Sequence, residues 1–161
     1  MKIQNIKLTY FSLLLLITNI NASLLERTLA IIKPDAVQAQ HDEAIIEMIK
    51  KNKFEIRCIR KLTLTQDEAA SFYEIHKEKP FFSELVTYMT SGPIIVLTLE
   101  KDNAIQEWRN LMGNTDPQKA APGTIRNLFG TDKGINAAHG SDAPETAKHE
   151  IEYFFPSLLK N

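Results

Sequence analysis

The sequence predicts an α/β domain in which strands and helices alternate, and three observations carry that expectation. Two compact apolar and β-branched runs, residues 28–32 and 93–99, have strand character. Two further stretches, 43–52 and 103–112, repeat apolar residues at helical spacing. With 161 residues, of which 43% are hydrophobic, the chain suits one domain with a sizeable core and leaves no room for a second. A formal net charge of −1 supplies no general basic field, so nucleic-acid binding is not expected, although a local basic cluster would still suit phosphates.

The first 22 residues differ from the rest. Lys2 and Lys7 precede the apolar run Leu8 to Ile17, and small or polar residues lead into Ala22 and Ser23, which is the pattern of an export signal cut after Ala22. The run is too short for a comfortable transmembrane helix. An exported or periplasmic protein is the expectation. The alternatives are an uncleaved anchor, or a start assigned too early, which would leave a cytoplasmic protein.

Along the domain, residues 28–32 read as a buried strand that stops at Lys33-Pro34, because proline cannot extend a central ladder. Lys33 is left at a strand end, where lysines ordinarily just reach solvent. Ile45, Ile46 and Ile49 mark a helix over 43–52; Phe54, Ile56 and Cys58 then alternate as a second strand, with Cys58 as a buried free thiol. Thr65 followed by Glu68 is a capping-box pattern for a helix from Gln66 to Ile75, carrying Ala69, Phe72 and Tyr73 near one face. Pro80-Phe81-Phe82 introduces a short helix through Met89, in which Phe82 fills core. The strand at 93–99 leads to an amphipathic helix marked by Ile105, Trp108 and Leu111, which Gly113 terminates. Arg109, near its C-terminal end, complements the helix dipole.

From Gly113 to Gly134 no period is sustained, and four of the six glycines gather there, so backbone can approach a ligand closely. Thr115 and Arg126 add a hydroxyl and a guanidinium, groups that polyphosphate recognition requires. Pro117, Pro122, Ile125, Leu128 and Phe129 argue that this loop is ordered. Next comes Asn136-Ala-Ala-His139-Gly-Ser-Asp142, which sets His139 among residues too small to shield it. Asp142, with Pro144 and Glu145 behind it, predicts a helix capped by Asp142. In that helix Ala147, Ile151 and Phe154 form a buried stripe, and Glu150 shares their face. A buried carboxylate needs a partner, and the economical one is the ring of His139. The pair would be a histidine nucleophile or base oriented by an acid, whereas His139 alone would read as a surface or capping residue. No Walker A motif, dinucleotide-binding glycine motif or zincin histidine pair is present.

Asn136-x-x-His139-Gly140-Ser141-Asp142, together with Lys33-Pro34-Asp35 and Pro122-Gly123-Thr124-Ile125-Arg126, resembles the nucleoside diphosphate kinase family in order and spacing over residues 26 to 155. Beside the signal-like segment at 1–22, the resemblance implies a kinase-like domain at 26–156 and leaves a tail at 157–161. It also implies an α+β sandwich, a ferredoxin-like βαββαβ fold with an antiparallel four-stranded sheet and a long nucleotide-binding loop insertion; local patterns alone allow a mixed sheet as well. The implied activity is ping-pong transfer of the terminal phosphate of a nucleoside triphosphate to a nucleoside diphosphate through phospho-His139.

By the same resemblance, Glu150 and Ser141 orient the imidazole, and Tyr73 places its hydroxyl beside it. Lys33, Arg109, Thr115 and Arg126 meet the phosphates, with His76 nearby; Lys33 and Asn136 meet the ribose; Phe81 stacks on the base. Mg2+ rides on the nucleotide phosphates without a protein ligand, and the chain is expected to form a homo-oligomer, a tetramer or hexamer. Glu43 and Lys53 stand where the family usually has glycine, and Leu128 where it commonly has aspartate. These departures keep open a second function, a nucleotide-binding or regulatory module with little turnover.

Overall fold

Alternation along the first strand decides the architecture. In β1 (Leu25–Ile32), Leu29 and Ile31 face one side while Ala30 and Ile32 face the other, and all four are fully buried, so both faces of the sheet must be covered. A computed structural model describes residues 25–158; the expected signal at 1–22 lies outside the described residues, as do residues 159–161. After β1 come α1 (Pro34–Gln38), α2 (Asp42–Lys51), β2 (Glu55–Leu62), α3 (Gln66–Phe72), a 3-10 turn at Glu74–His76 and α4 (Phe82–Met89). Then follow β3 (Ile94–Asp102), α5 (Ala104–Met112), a 3-10 turn at Pro117–Lys119, α6 (Ile125–Phe129), β4 (Ala138–Gly140) and α7 (Pro144–Phe154).

The strand order is β2-β3-β1-β4, and every neighbouring pair is antiparallel. This is the ferredoxin-like α+β sandwich, and the mixed sheet is excluded. On one face Ala30, Ile32, Leu97 and Leu99 pack with Ile45 and Ile49 of α2 and Trp108 and Met112 of α5. On the other, Leu29, Ile31 and Val96 meet Phe72 of α3, Met89 of α4 and Ile151 and Phe154 of α7. Burying a side chain of this size contributes about 1.5–3 kcal/mol, so two filled faces hold β1 as the rigid centre from which the site is hung.

Several expectations need correcting. The Thr65–Glu68 capping box forms, but α3 ends at Phe72 rather than at Ile75. Tyr73 leaves the helix at φ −97, ψ 19 and starts the tighter 3-10 turn, its ring still packed in one core cluster with Ala69 and Phe72. Asp142 does not cap α7: Ala143, extended at φ −149, ψ 161, occupies that position, and no side chain caps the helix. Pro144 takes the first helical position as expected, so Asp142 falls one residue too early to reach the free N–H groups. Cys58 is half-buried rather than buried, because β2 is an edge strand. The short helices α1 and α6, five residues each, were invisible to periodicity since five residues complete barely more than one turn.

Lys53 shows what became of one missing glycine. Its N–H donates to Lys50 O at 3.0 Å and that of Phe54 to Ile49 O at 3.3 Å, the two bonds of a Schellman helix end. Lys53 sits at the left-handed position of that motif with φ 65. The loop geometry is kept, with a lysine bearing a conformational cost of about 1–2 kcal/mol that glycine would avoid. Glu43 lies in the first turn of α2, where its charge favours the helix dipole.

Candidate active site

The site grows from the end of β1 and the short strand β4 beside it. His139 is the middle residue of β4 and pairs with Ile31. Gly140 next to it is required: a Cβ there would lie 2.3 Å from Trp108 Cδ1. That close approach lets the buried indole Nε1–H donate to the carbonyl of His139 at 3.0 Å, fixing the backbone that carries the imidazole.

The ring is fixed from the other side. Its Nε2 lies 3.0 Å from Glu150 Oε1, the contact that helix spacing predicted. Glu150 Oε2 accepts from Ser141 Oγ at 2.6 Å, and that hydroxyl accepts from the Leu29 N–H at 3.2 Å, so the carboxylate is anchored through Ser141 to β1. A carboxylate at Nε2 favours the tautomer with the proton there, which leaves the Nδ1 lone pair free; Nδ1 has no hydrogen-bond partner among the described residues. The side chain is 20% exposed, so a substrate can reach it. Phe72 and Tyr73 pack edge-on against the imidazole with centroids at 5.6 and 6.0 Å. The Tyr73 hydroxyl is buried without a partner, and burial, aided by the Glu150 charge, raises its pKa and keeps it protonated. His76 lies 6.4 Å from Tyr73 and 5.8 Å from Phe81, so a row of rings runs outward from His139 to the half-exposed Phe81.

Three cations come from the end of β1, from α5 and from α6. Lys33 is buried and donates from Nζ to Asn136 Oδ1 at 2.7 Å. Burial lowers its pKa to about 8, with the positive charge of Arg126 acting in the same direction and Asp35 opposing. Arg126 is lowered to about 10, again by burial first and then by Arg109. Lys33 thus feels Arg126, and Arg126 feels Arg109, while the Asp35 carboxylate compensates in part at Lys33: this is a region suited to receive negative charge. Arg126 also has a second task that the sequence did not reveal. It donates to Gly113 O at 2.9 Å and Ala138 O at 3.0 Å, tying the end of α5 to β4, while its buried Nε has no partner. Arg109 is exposed on α5, and Thr115 is exposed on the loop, where its carbonyl accepts from Asn136 Nδ2 at 3.2 Å.

Four contributors were not legible as such in the sequence: Trp108, Tyr88, Asp35 and Ala137. Trp108 was assigned only to the apolar face of its helix, and nothing in the sequence pointed to its indole N–H. Tyr88 donates from its hydroxyl to Asp35 Oδ1 at 2.6 Å, and Asp35 Oδ2 accepts from the Ala137 N–H at 3.0 Å. Ala137 itself has φ 65, and the Ala138 N–H closes back on Asn136 O at 2.7 Å, a γ-turn in its rarer, strained form. A non-glycine residue held so costs on the order of 1–3 kcal/mol and persists only where its surroundings enforce it.

The donor set does not suit a protein-held metal. Among the described residues no three His, Cys, Asp or Glu side chains converge, and the two nearest carboxylates, Glu150 and Asp35, are already engaged.

Comparison with known proteins agrees with this geometry. The family model described as "Nucleoside diphosphate kinase" matches residues 26–158. The chain is 53% identical over 134 residues to the nucleoside diphosphate kinase of Syntrophotalea carbinolica, covering 83% of this chain and 98% of that one. It is 52% identical to that of Chlamydia abortus over 134 residues, covering 83% and 95%. Among solved structures, the Aquifex aeolicus nucleoside diphosphate kinase superposes with a TM-score of 0.81 at 43% identity, covering 83% of this chain and 97% of that one. The enzyme from Encephalitozoon cuniculi gives 0.78 at 33% identity, covering 81% and 88%.

Proposed function

The chain belongs to the nucleoside diphosphate kinase family, and from that premise we propose how its residues move the terminal phosphate of a nucleoside triphosphate to a nucleoside diphosphate. The observation that carries the reading is the imidazole of His139, held at Nε2 by Glu150 and free at Nδ1. In the first half-reaction Nδ1 attacks the γ-phosphorus, an N–P bond forms, the bond to the bridging oxygen breaks, and the diphosphate departs with its electron pair. In the second, a terminal oxygen of another diphosphate attacks the phosphohistidine and the imidazole leaves neutral. No proton need be removed from the nucleophile, because the lone pair is already in place.

Phosphoryl transfer asks the protein for alignment and charge stabilisation more than for covalent help. Lys33, Arg109 and Arg126 supply the charge, and Thr115 a hydroxyl. Glu150 stabilises the positive charge that appears on the imidazole during attack, and Ser141 holds Glu150. Tyr73, kept protonated, offers a donor at the rim of the ring. Phe81 stacks on the base, and since every base presents a π face it accepts purines and pyrimidines alike. Lys33 and Asn136 meet the ribose. Magnesium would arrive with the substrate, on the nucleotide phosphates, a reading that the cation-rich and carboxylate-poor lining supports.

Two further parts of the reading concern the protein's setting. Export with removal of residues 1–22 rests on the basic, apolar and small-residue order of that segment. Assembly as a homo-oligomer is supported by β2, an eight-residue edge strand on which Ile59 is 52% exposed. The test of the catalytic reading is incubation of the purified protein with γ-labelled ATP and Mg2+. Label should stay on the wild-type chain, map to His139, be lost in acid and pass to added diphosphate. Label that is acid-stable and maps to Ser141 would overturn it.

A further inference from the structure

We propose that Asp35 is a positioning residue for the reaction: its carboxylate clamps the strained turn at Ala137, and so sets Asn136 and His139 on either side of that turn. Four contacts carry the inference. Asp35 Oδ2 accepts from the Ala137 N–H at 3.0 Å, and the Lys33 N–H donates to Ala137 O at 2.9 Å, so both polar groups of the Ala137 backbone are gripped from the end of β1 and the start of α1. Lys33 Nζ holds the Asn136 side chain at 2.7 Å, and Tyr88 of α4 donates to Asp35 Oδ1 at 2.6 Å. The Tyr88 bond fixes the carboxylate from its far side and links α4, whose N-terminal flank carries Phe81, to the strand that carries His139.

The physical need for a clamp comes from Ala137. Its φ of 65 lies in the left-handed region, where its Cβ is crowded, and it is fully buried, so a relaxed turn would carry Asn136 and β4 with it. Two residues downstream, His139 must present Nδ1 in line with a phosphorus atom, and a displacement of about 1 Å is enough to lower such a rate by about 10²-fold. Asp35 touches neither His139 nor, on this reading, the nucleotide. It acts on the turn through the Ala137 N–H, beside its charge's separate effect on Lys33.

The inference rests on His139 as the phosphate carrier, and labelling of the wild-type chain at His139 tests that premise separately. The test of the clamp uses the full chain and single-turnover phosphoenzyme formation with labelled ATP and Mg2+. Asp35→Ala leaves no acceptor facing the Ala137 N–H. The rate at saturating nucleotide should fall about 10- to 100-fold, with little change in the nucleotide concentration giving half the maximal rate. Adding Ala137→Gly removes the Cβ crowding, so the double variant should recover to within about threefold of wild type. A wild-type rate in Asp35→Ala, or a slow rate that Ala137→Gly leaves unchanged, would overturn the proposal. If Asp35→Ala alone does not fold, the double variant decides: folded and transferring label supports the clamp, while unfolded or inert protein overturns it. The emission of Trp108, the chain's sole tryptophan and bonded to His139 O, reports independently whether β4 is in place.

Discussion

Replacing Glu150 by alanine removes the acceptor at His139 Nε2 and strands the Ser141 hydroxyl, and the size of the effect follows from the geometry. A full positive charge on the ring would interact with a carboxylate 3.0 Å away. At an effective dielectric constant of about 20, that interaction is worth about 5 kcal/mol. Only part of the charge develops at the transition state, and the neutral ring already enjoys the hydrogen bond. The differential benefit is therefore nearer the 1.5–3 kcal/mol typical of a hydrogen bond to a charged group, or about 10- to 200-fold in rate. Glu150→Gln keeps an acceptor without the charge and should lie between wild type and Glu150→Ala. The assay is rapid-quench formation of labelled phosphoenzyme at saturating ATP–Mg2+, with circular dichroism to establish folding. His139→Ala should form no label at all. If folded Glu150→Ala labelled at the wild-type rate, charge stabilisation by the carboxylate would be refuted, and Glu150 would be only a buried acid satisfied by its neighbours.

Other expectations follow from separate features. Phe81→Ala should raise KM about fivefold for purine and pyrimidine nucleotides alike, given about 1 kcal/mol from stacking, and an unchanged KM for all of them would return Phe81 to a packing role. Arg126→Ala should lower turnover by about 10²-fold or more; because the arginine also bonds Gly113 O and Ala138 O, it should lower Tm too, and normal turnover in a folded variant would reject its phosphate role. Lys33 titrates near 8 folded against 10.5 unfolded. Between those values the unfolded chain binds more protons, so this group opposes folding below about pH 8, and its contribution becomes less unfavourable as pH rises toward 10.5. Triphosphate binding restores the charge, so at pH 9 it should take up a proton and weaken with rising pH; calorimetry in buffers of differing ionisation enthalpy checks this, and absence of uptake refutes it. Lys53→Gly should raise stability by about 1 kcal/mol without touching activity, and a lower Tm would show that the lysine makes a contact outweighing its backbone cost.

Much of this protein could be read from local order along the chain. Compact apolar runs and alternation located β1, β2 and β3, and helical spacing located the longer helices, because each must bury a face. The carboxylate of Glu150 was placed beside His139 by the same logic, since a helix stripe that carries Ala147, Ile151 and Phe154 inward carries Glu150 with them. The glycine-rich stretch and its cations marked a candidate place for phosphate. The sequence also determined that Gly140 had no side chain, without saying why. What local order could not supply was anything that depends on which strands become neighbours. Antiparallel pairing of β1 with both β3 and β4 is a long-range choice, made when two covered faces close together, and it alone brings Lys33, Asp35 and Leu29 to residues more than 100 positions away. Hence the Trp108 bond to His139, the struts of Arg126 and the Asp35 grip on Ala137 emerged only in three dimensions. Their donors look ordinary in sequence, and their acceptors are backbone groups that every residue carries.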